Sequence, residues 1–222
     1  MNGNGNSGNS AKFEDARLDM VARQILGRGI RSPRVLAAME AVPRHLFVPP
    51  GLASQAYADE PLPVGEGQTI SQPYVVAASA EALALDGSER VLEVGAGTGY
   101  LAAVLSLLAR EVIALEAIQA LAESARRRLA RPGYANVRIV VGDGSQGFSE
   151  AAPFDAILVS AAAPAVPQPL IEQLIEGGRL VIPVGATDSQ QLLRIVKSDG
   201  QTTHQELFAC RFVPLVGRYG WR

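Results

Sequence analysis

The chain has one cysteine and two histidines in 222 residues. A single thiol, Cys210, excludes an internal disulfide framework and a zinc cluster built of thiolates. His45 and His204 stand far apart, which argues against a metal site. No run is long and apolar enough to read as a membrane span. The N-terminus lacks the charged stretch and apolar core of a secretory signal. The formal net charge is only −2, so no overall charge favours nucleic acid or an anionic membrane. What these absences leave is a cytoplasmic enzyme with no metal, nucleic-acid or membrane partner.

The length suits one substantial domain. Residues 1–12 read as a disordered tail, because Asn, Gly and Ser have nothing to bury. Residues 13–222 read as a single domain, with N-terminal helices and a functional loop over 13–75 and a sheet core over 76–222. Helical spacing runs over 13–27. A second helix opens at Ser32-Pro33, with Ser32 as N-cap and Pro33 in the first turn. The stretch 44–62 reads as an irregular arm. The polar loop 63–74 precedes a helix over 75–85, and Ser71 just before it reads equally as a cap or as a functional group.

From Arg90 the pattern alternates. Strands are expected at 90–94, 111–115, 137–141, 154–159 and 179–184, with helices at 99–109, 118–130 and 168–175. Two further runs, 190–197 and 205–213, have only a turn at Asp199-Gly200 between them, which makes an antiparallel hairpin. The fold class is therefore α/β: a doubly wound, mostly parallel sheet with a C-terminal antiparallel hairpin and an N-terminal helical extension.

The chemistry concentrates at strand ends. Strand 90–94 carries Glu93, a carboxylate in a strand that should be buried on both faces, and it needs a partner. The loop after it is Gly95-Ala96-Gly97-Thr98-Gly99. Gly97 to Ala102 also fits the dinucleotide pattern G-x-G-x-x-A, which alone is weak. Gly95, Gly97 and Gly99 directly after Glu93 instead resemble the acid-x-G-x-G-x-G loop of S-adenosylmethionine-dependent methyltransferases. Glu116 ends the second strand, where it can accept ribose hydroxyls. Asp143, beside Gly144, ends the third, where it can accept from the adenine amino group. Each alone reads as readily as a solvated strand end or a turn residue. Three acids on successive strand ends lie where open α/β sheets bind ligands. Ser160-Ala161-Ala162-Ala163-Pro164 after the fourth strand carries no acid, unlike enzymes that methylate nucleic-acid amino groups. Cys210 lies in a strand, which suits a core residue better than a nucleophile. An acceptor that needs no deprotonation fits best, and a carboxylate is already ionised at neutral pH.

Over 18–221 the chain resembles the protein-L-isoaspartate (D-aspartate) O-methyltransferase family. The most specific piece is Gly67-Gln68-Thr69-Ile70-Ser71-Gln72-Pro73-Tyr74. Ala41 to Val48, Gly142-Asp143-Gly144, Gly178 to Gly185 and Arg211 to Leu215 match as well. The resemblance implies a Rossmann-like fold, S-adenosyl-L-methionine as methyl donor and S-adenosyl-L-homocysteine as product. It implies Ser71 as the active-site serine, holding the acceptor carboxylate. Cofactor contacts would come from Ile70, Glu93, Gly95, Gly97, Thr98, Gly99, Glu116, Asp143 and Gly144. Acceptor contacts would come from Thr69, Gln72, Ser160, Ala161 and Val213. The partners would be damaged proteins or peptides bearing isoaspartyl residues, met by a monomer. A small-molecule carboxyl methyltransferase on the same fold is the other reading. Ser145 departs from bacterial relatives, which often carry Trp there.

Overall fold

The computed structural model describes residues 4–222, with side chains from Ser10 onward. Helix α1 spans Asn4–Asp19 and runs on through a wider turn, Met20–Ile25. It therefore begins inside the stretch read as a tail. Phe13 packs against the core and Met20 and Ile25 are fully buried in it. A docked helix propagates outward at little further nucleation cost, even through weak helix formers. Residues 1–3 of that tail lie outside the described residues.

Helix α2, Pro33–Ala41, opens as expected, and the Ser32 hydroxyl accepts from the Val35 N–H. The arm that follows is a chain of short helical turns rather than irregular coil. Its anchor is Arg44, fully buried, which donates to Ala56 O at 2.7 Å and lies 4.9 Å from the centre of the Tyr100 ring. The loop 63–74 forms a small ladder, with β1 (Leu62–Gly65) antiparallel to β2 (Gln68–Ile70). Glu66 and Gly67 both have positive φ at its turn, the conformation a tight hairpin needs. Helix α3, Pro73–Ala82, comes next.

The main sheet takes β3 (Arg90–Val94), β4 (Glu111–Glu116), β5 (Val137–Val141), β6 (Phe154–Val159), β7 (Leu174–Gly185), β8 (Gln190–Ser198) and β9 (Gln201–Cys210). Their order is β5-β4-β3-β6-β7-β8-β9. The first five strands pair in parallel and the last two antiparallel. Helices α4 (Tyr100–Ser106), α5 (Gln119–Leu129) and α6 (Gln168–Glu172) connect the parallel strands. Helix α6 is shorter than the helix expected over 168–175. Phe154 N–H donates to Gln173 O at 2.8 Å, and Leu174 pairs with Phe154, so the chain enters the sheet early. Gly177-Gly178 then lies within the register shift of β7 rather than at a helix end.

Side chains alternate across the sheet. Val91, Val112, Ala114 and Leu158 face a core shared with the N-terminal helices. Leu92, Val94, Ile113 and Val159 face a second core closed by α6 and the C-terminal segment. Glu93 shares the face of Val91. The strand order turns at β3 and β6, and the crevice beyond their C-terminal ends is where such sheets bind ligands. No helix among the described residues is long and apolar enough to cross a membrane.

Candidate active site

The loop from β3 to α4 folds back on β4. Gly95 N–H and Ala96 N–H both donate to Leu115 O at 2.9 Å, and Gly97 N–H donates to Glu116 Oε2 at 2.7 Å. Glu116 Oε1 accepts from Ile118 N–H at 3.0 Å. Each oxygen thus keeps a free lone pair while the side chain is pinned. Gly97 has φ 54°, and a Cβ there would meet nothing within 4 Å, so the backbone borders open space. Gly99, at φ 86°, matters for packing instead. A Cβ there would lie 3.0 Å from Leu129 Cδ1, so its absence lets α4 pack on α5.

Glu93 is the electrostatic anomaly. It is 0% exposed and neither carboxylate oxygen has a hydrogen-bond partner. Burial, and after it the charge of Glu116, holds its carboxyl well above the usual carboxylate range. A buried carboxylate without a donor is costly in the free protein and is a ready partner for a cation.

Glu93 and Glu116 line a cavity of about 290 Å³, together with Ile70, Gly95, Gly97, Thr98, Gly144 and Ala161. They are the charged residues of its wall. A cationic nucleoside fits: the orphaned Glu93 for the positive centre, the half-satisfied Glu116 for vicinal hydroxyls, and bare backbone at Gly97 for close approach.

A second cavity of about 310 Å³ adjoins the first. Thr69, Ser71, Ser160 and Val213 line both. Gln72 lines only the second, and Ala161 only the first. Ser71 does not cap α3. The N-cap position falls on Gln72, with Pro73 opening the helix and no side-chain cap bond. The serine is thereby left on the shared wall. The second cavity also takes Arg28, Tyr74, Phe208 and Cys210, which sequence reasoning did not assign to a site, and Arg211. Burial pushes the Cys210 thiol up to about 11, so it stays protonated at neutral pH.

Two expected cofactor residues do not themselves line this cavity, although their chain neighbours do. Gly99 is not in the wall, for the packing reason given above. Asp143 is not in it either, although its neighbours Gly142 and Gly144 are. Oδ1 of Asp143 accepts from Ser145 N–H at 2.9 Å and Ser145 Oγ at 2.6 Å. Oδ2 accepts from Gln146 Nε2 at 3.0 Å and Arg218 N–H at 2.8 Å. Four donors fill the acceptor sites that a carboxylate offers. Partial burial alone would raise its pKa. The Arg218 N–H, Ser145 and Gln146 bonds outweigh burial and lower it. Asp143 therefore pins the C-terminal segment, whose Val213, Pro214, Leu215 and Val216 form one side of the first cavity.

Comparison with known proteins follows the same lines. The family model of protein-L-isoaspartate (D-aspartate) O-methyltransferase matches residues 16–220. A protein-L-isoaspartate O-methyltransferase of Geobacter metallireducens is 54% identical over 210 residues, 94% of this chain and 97% of that protein. One from Methanoculleus marisnigri is 52% identical over 206 residues, 93% of this chain and 94% of that protein. Among solved structures, a protein-L-isoaspartate O-methyltransferase superposes with TM-score 0.82 at 31% identity, over 93% of this chain and 67% of that one. Another, from Plasmodium falciparum in complex with S-adenosyl-L-homocysteine, gives TM-score 0.78 at 27% identity, over 90% of this chain and 98% of that one. The chain belongs to the protein-L-isoaspartate (D-aspartate) O-methyltransferase family.

Proposed function

We propose that the two adjoining cavities methylate the α-carboxylate of isoaspartyl residues in aged proteins, with S-adenosyl-L-methionine as donor. The observation that carries this reading is their opposite charge. The first has two carboxylates and no Lys or Arg in its wall; the second has two arginines and no acid. Their common wall is uncharged. A cationic donor and an anionic acceptor thus have separate sites that meet at Ser71.

When bound, S-adenosyl-L-methionine supplies an electrophilic methyl group and leaves as S-adenosyl-L-homocysteine. Glu93 holds the cationic end of the donor, and Glu116 accepts from its ribose. Ile70, Gly95, Gly97, Thr98, Gly144 and Ala161 shape the cavity around it. The acceptor carboxylate is ionised at neutral pH, so no base is required. The Ser71 hydroxyl donates to it and fixes its orientation, with Thr69, Gln72, Ser160 and Val213 around it. Val213 to Val216 exclude water from the junction, and positioning supplies the rate. The methyl ester is a better electrophile than the ionised carboxylate. The neighbouring amide nitrogen attacks its carbonyl, methanol leaves, the succinimide re-forms, and water reopens part of it as normal aspartate. D-aspartyl residues are read as further acceptors. The same reading makes the protein a cytoplasmic monomer without nucleic-acid or membrane partners; the low net charge and single cysteine support it.

The test is methyl transfer to paired peptides that differ only in isoaspartyl against aspartyl linkage, with free small acids as a third arm. Transfer confined to the isoaspartyl member is expected. Preference for the free acids would sink the reading.

A further inference from the structure

We propose that the second cavity holds a subsite for a further carboxylate, an acidic side chain near the isoaspartyl residue of the acceptor. The inference rests on the methylation reading above and deepens it. Arg28 and Arg211 line this cavity and not the donor cavity. They therefore belong to the part of the second cavity's wall that the two cavities do not share, whereas the reacting carboxylate must sit at the shared part. That carboxylate meets the uncharged side chains of Thr69, Ser71, Ser160 and Val213. A guanidinium clamped on it would also withdraw the electron pair it has to donate. The two cations thus face a part of the acceptor that does not react.

Arg28 is built into place. Its guanidinium lies 3.5 Å from the centre of the Tyr74 ring, and Nη1 pairs with Asp59 Oδ2. Asp59 Oδ1 in turn accepts from Tyr74 N–H at 3.1 Å, and Tyr74 packs against Phe208. Arg28 sits between Gly27 and Gly29, and Gly29 at φ 102° closes the helical turn that presents it. The Asp59 contact uses one of five guanidinium donors, and no other hydrogen bond engages the Arg28 side chain among the described residues. Arg211 is exposed and has no ion pair among the described residues. A fixed guanidinium on an aromatic face and an unpaired one in the wall of the same cavity suit charge-assisted capture of a carboxylate. The whole chain carries net charge −2, and with Asp59 offsetting Arg28 the local positive excess comes from the unpaired Arg211.

The experiment uses the full chain and isoaspartyl peptides of one sequence, with Glu, Gln or Lys placed within two positions on either side. Two readouts are taken: kcat/KM for methyl transfer, and peptide affinity by fluorescence anisotropy with S-adenosyl-L-homocysteine bound. The wild type is expected to favour the Glu-flanked over the Gln-flanked peptide by roughly two- to fivefold, a surface-pair magnitude, and less at high salt. R211Q and R28Q should each bring that ratio toward one, R28K should keep only part of it because an ammonium neither stacks on Tyr74 nor pairs through a fork, and R211E should favour the Lys-flanked peptide. A wild-type ratio of one overturns the subsite. So does an equal loss on all peptides in R211Q and R28Q, which would mean the cations only attract the reacting carboxylate. Absence of transfer to every isoaspartyl peptide would instead overturn the methylation reading, and the anisotropy ratio would still decide the subsite.

Discussion

The two cavities differ in how far they are satisfied before a ligand arrives. In the donor cavity Glu93 is buried with no partner at all. In the acceptor cavity Arg28 already rests on Tyr74 and Asp59. The first stores an unfavourable burial that one cation relieves, which suits a single defined ligand. The second has little to relieve, which suits a loosely held chain of variable sequence. Selectivity for the donor and tolerance for the acceptor follow from that contrast.

The largest expected effect tests the stored burial. Glu93→Gln should weaken S-adenosyl-L-homocysteine binding by about 10²-fold, the scale for removing one partner of a buried charge pair, measured by calorimetry. The same change should stabilise the free protein, because a neutral amide costs less to bury than a carboxylate. The sign with pH follows from a folded pKa raised above the ordinary 4.5. Glu93 contributes stability to the free protein that is fully present below that ordinary value and lost as pH rises through the raised one. Thermal unfolding of the free wild type should therefore soften as pH rises from about 4.5, and Glu93→Gln should flatten the trend. A variant with unchanged donor affinity breaks the comparison.

A smaller effect separates the cavities at their common wall. Ser71→Ala should lower kcat on isoaspartyl peptides by about 10- to 100-fold through lost orientation. It should leave S-adenosyl-L-homocysteine affinity within about a factor of two, since no charge is removed. If donor affinity falls in step with kcat, Ser71 serves the first cavity and not the junction. The smallest effect concerns the C-terminal segment. A Cβ at Gly217 would collide with Asp143 Oδ1 and Ser145 Oγ. Gly217→Ala should loosen residues 213–222, seen as faster amide exchange there, and weaken donor binding a few-fold, about 1 kcal/mol. Exchange confined to the acceptor cavity would mean that the segment does not wall the donor site.

The donor cavity was legible because its chemistry is local. A buried acid, three glycines and a strand-end Glu lie within 93–116, and backbone geometry dictates what such a run can hold. Asp143 shows the limit of that logic. An acid between glycines at a strand end looks the same whether it faces a ligand or a turn, and the donor that Arg218 N–H brings to Asp143 from the far end of the chain has no local signature in the sequence. Ser71 was ambiguous for a similar reason, and the structure places the cap at Gln72, leaving the serine on the wall between the cavities. The acceptor cavity was legible only through resemblance. Arg28, Asp59, Tyr74, Phe208 and Arg211 come from separate segments with no shared period or spacing. Helix 168–175 was overextended because Leu174 suits an amphipathic helix and a sheet equally, and its pairing with Phe154 is a tertiary choice.

The chain's one tryptophan is part of that C-terminal segment. Trp221 Nε1 donates to Ala162 O at 3.0 Å, and its N–H donates to Leu215 O at 2.7 Å. Leu215 lines the donor cavity, and Ala162 follows Ala161 in the same wall. The residue is therefore a built-in optical reporter, tied through its indole to Ala162 and through its backbone to Leu215 of the first cavity's wall. With no second tryptophan to dilute the signal, its emission is expected to change when that cavity fills, measured by titration of unlabelled protein with S-adenosyl-L-homocysteine. That gives stopped-flow access to binding and product release.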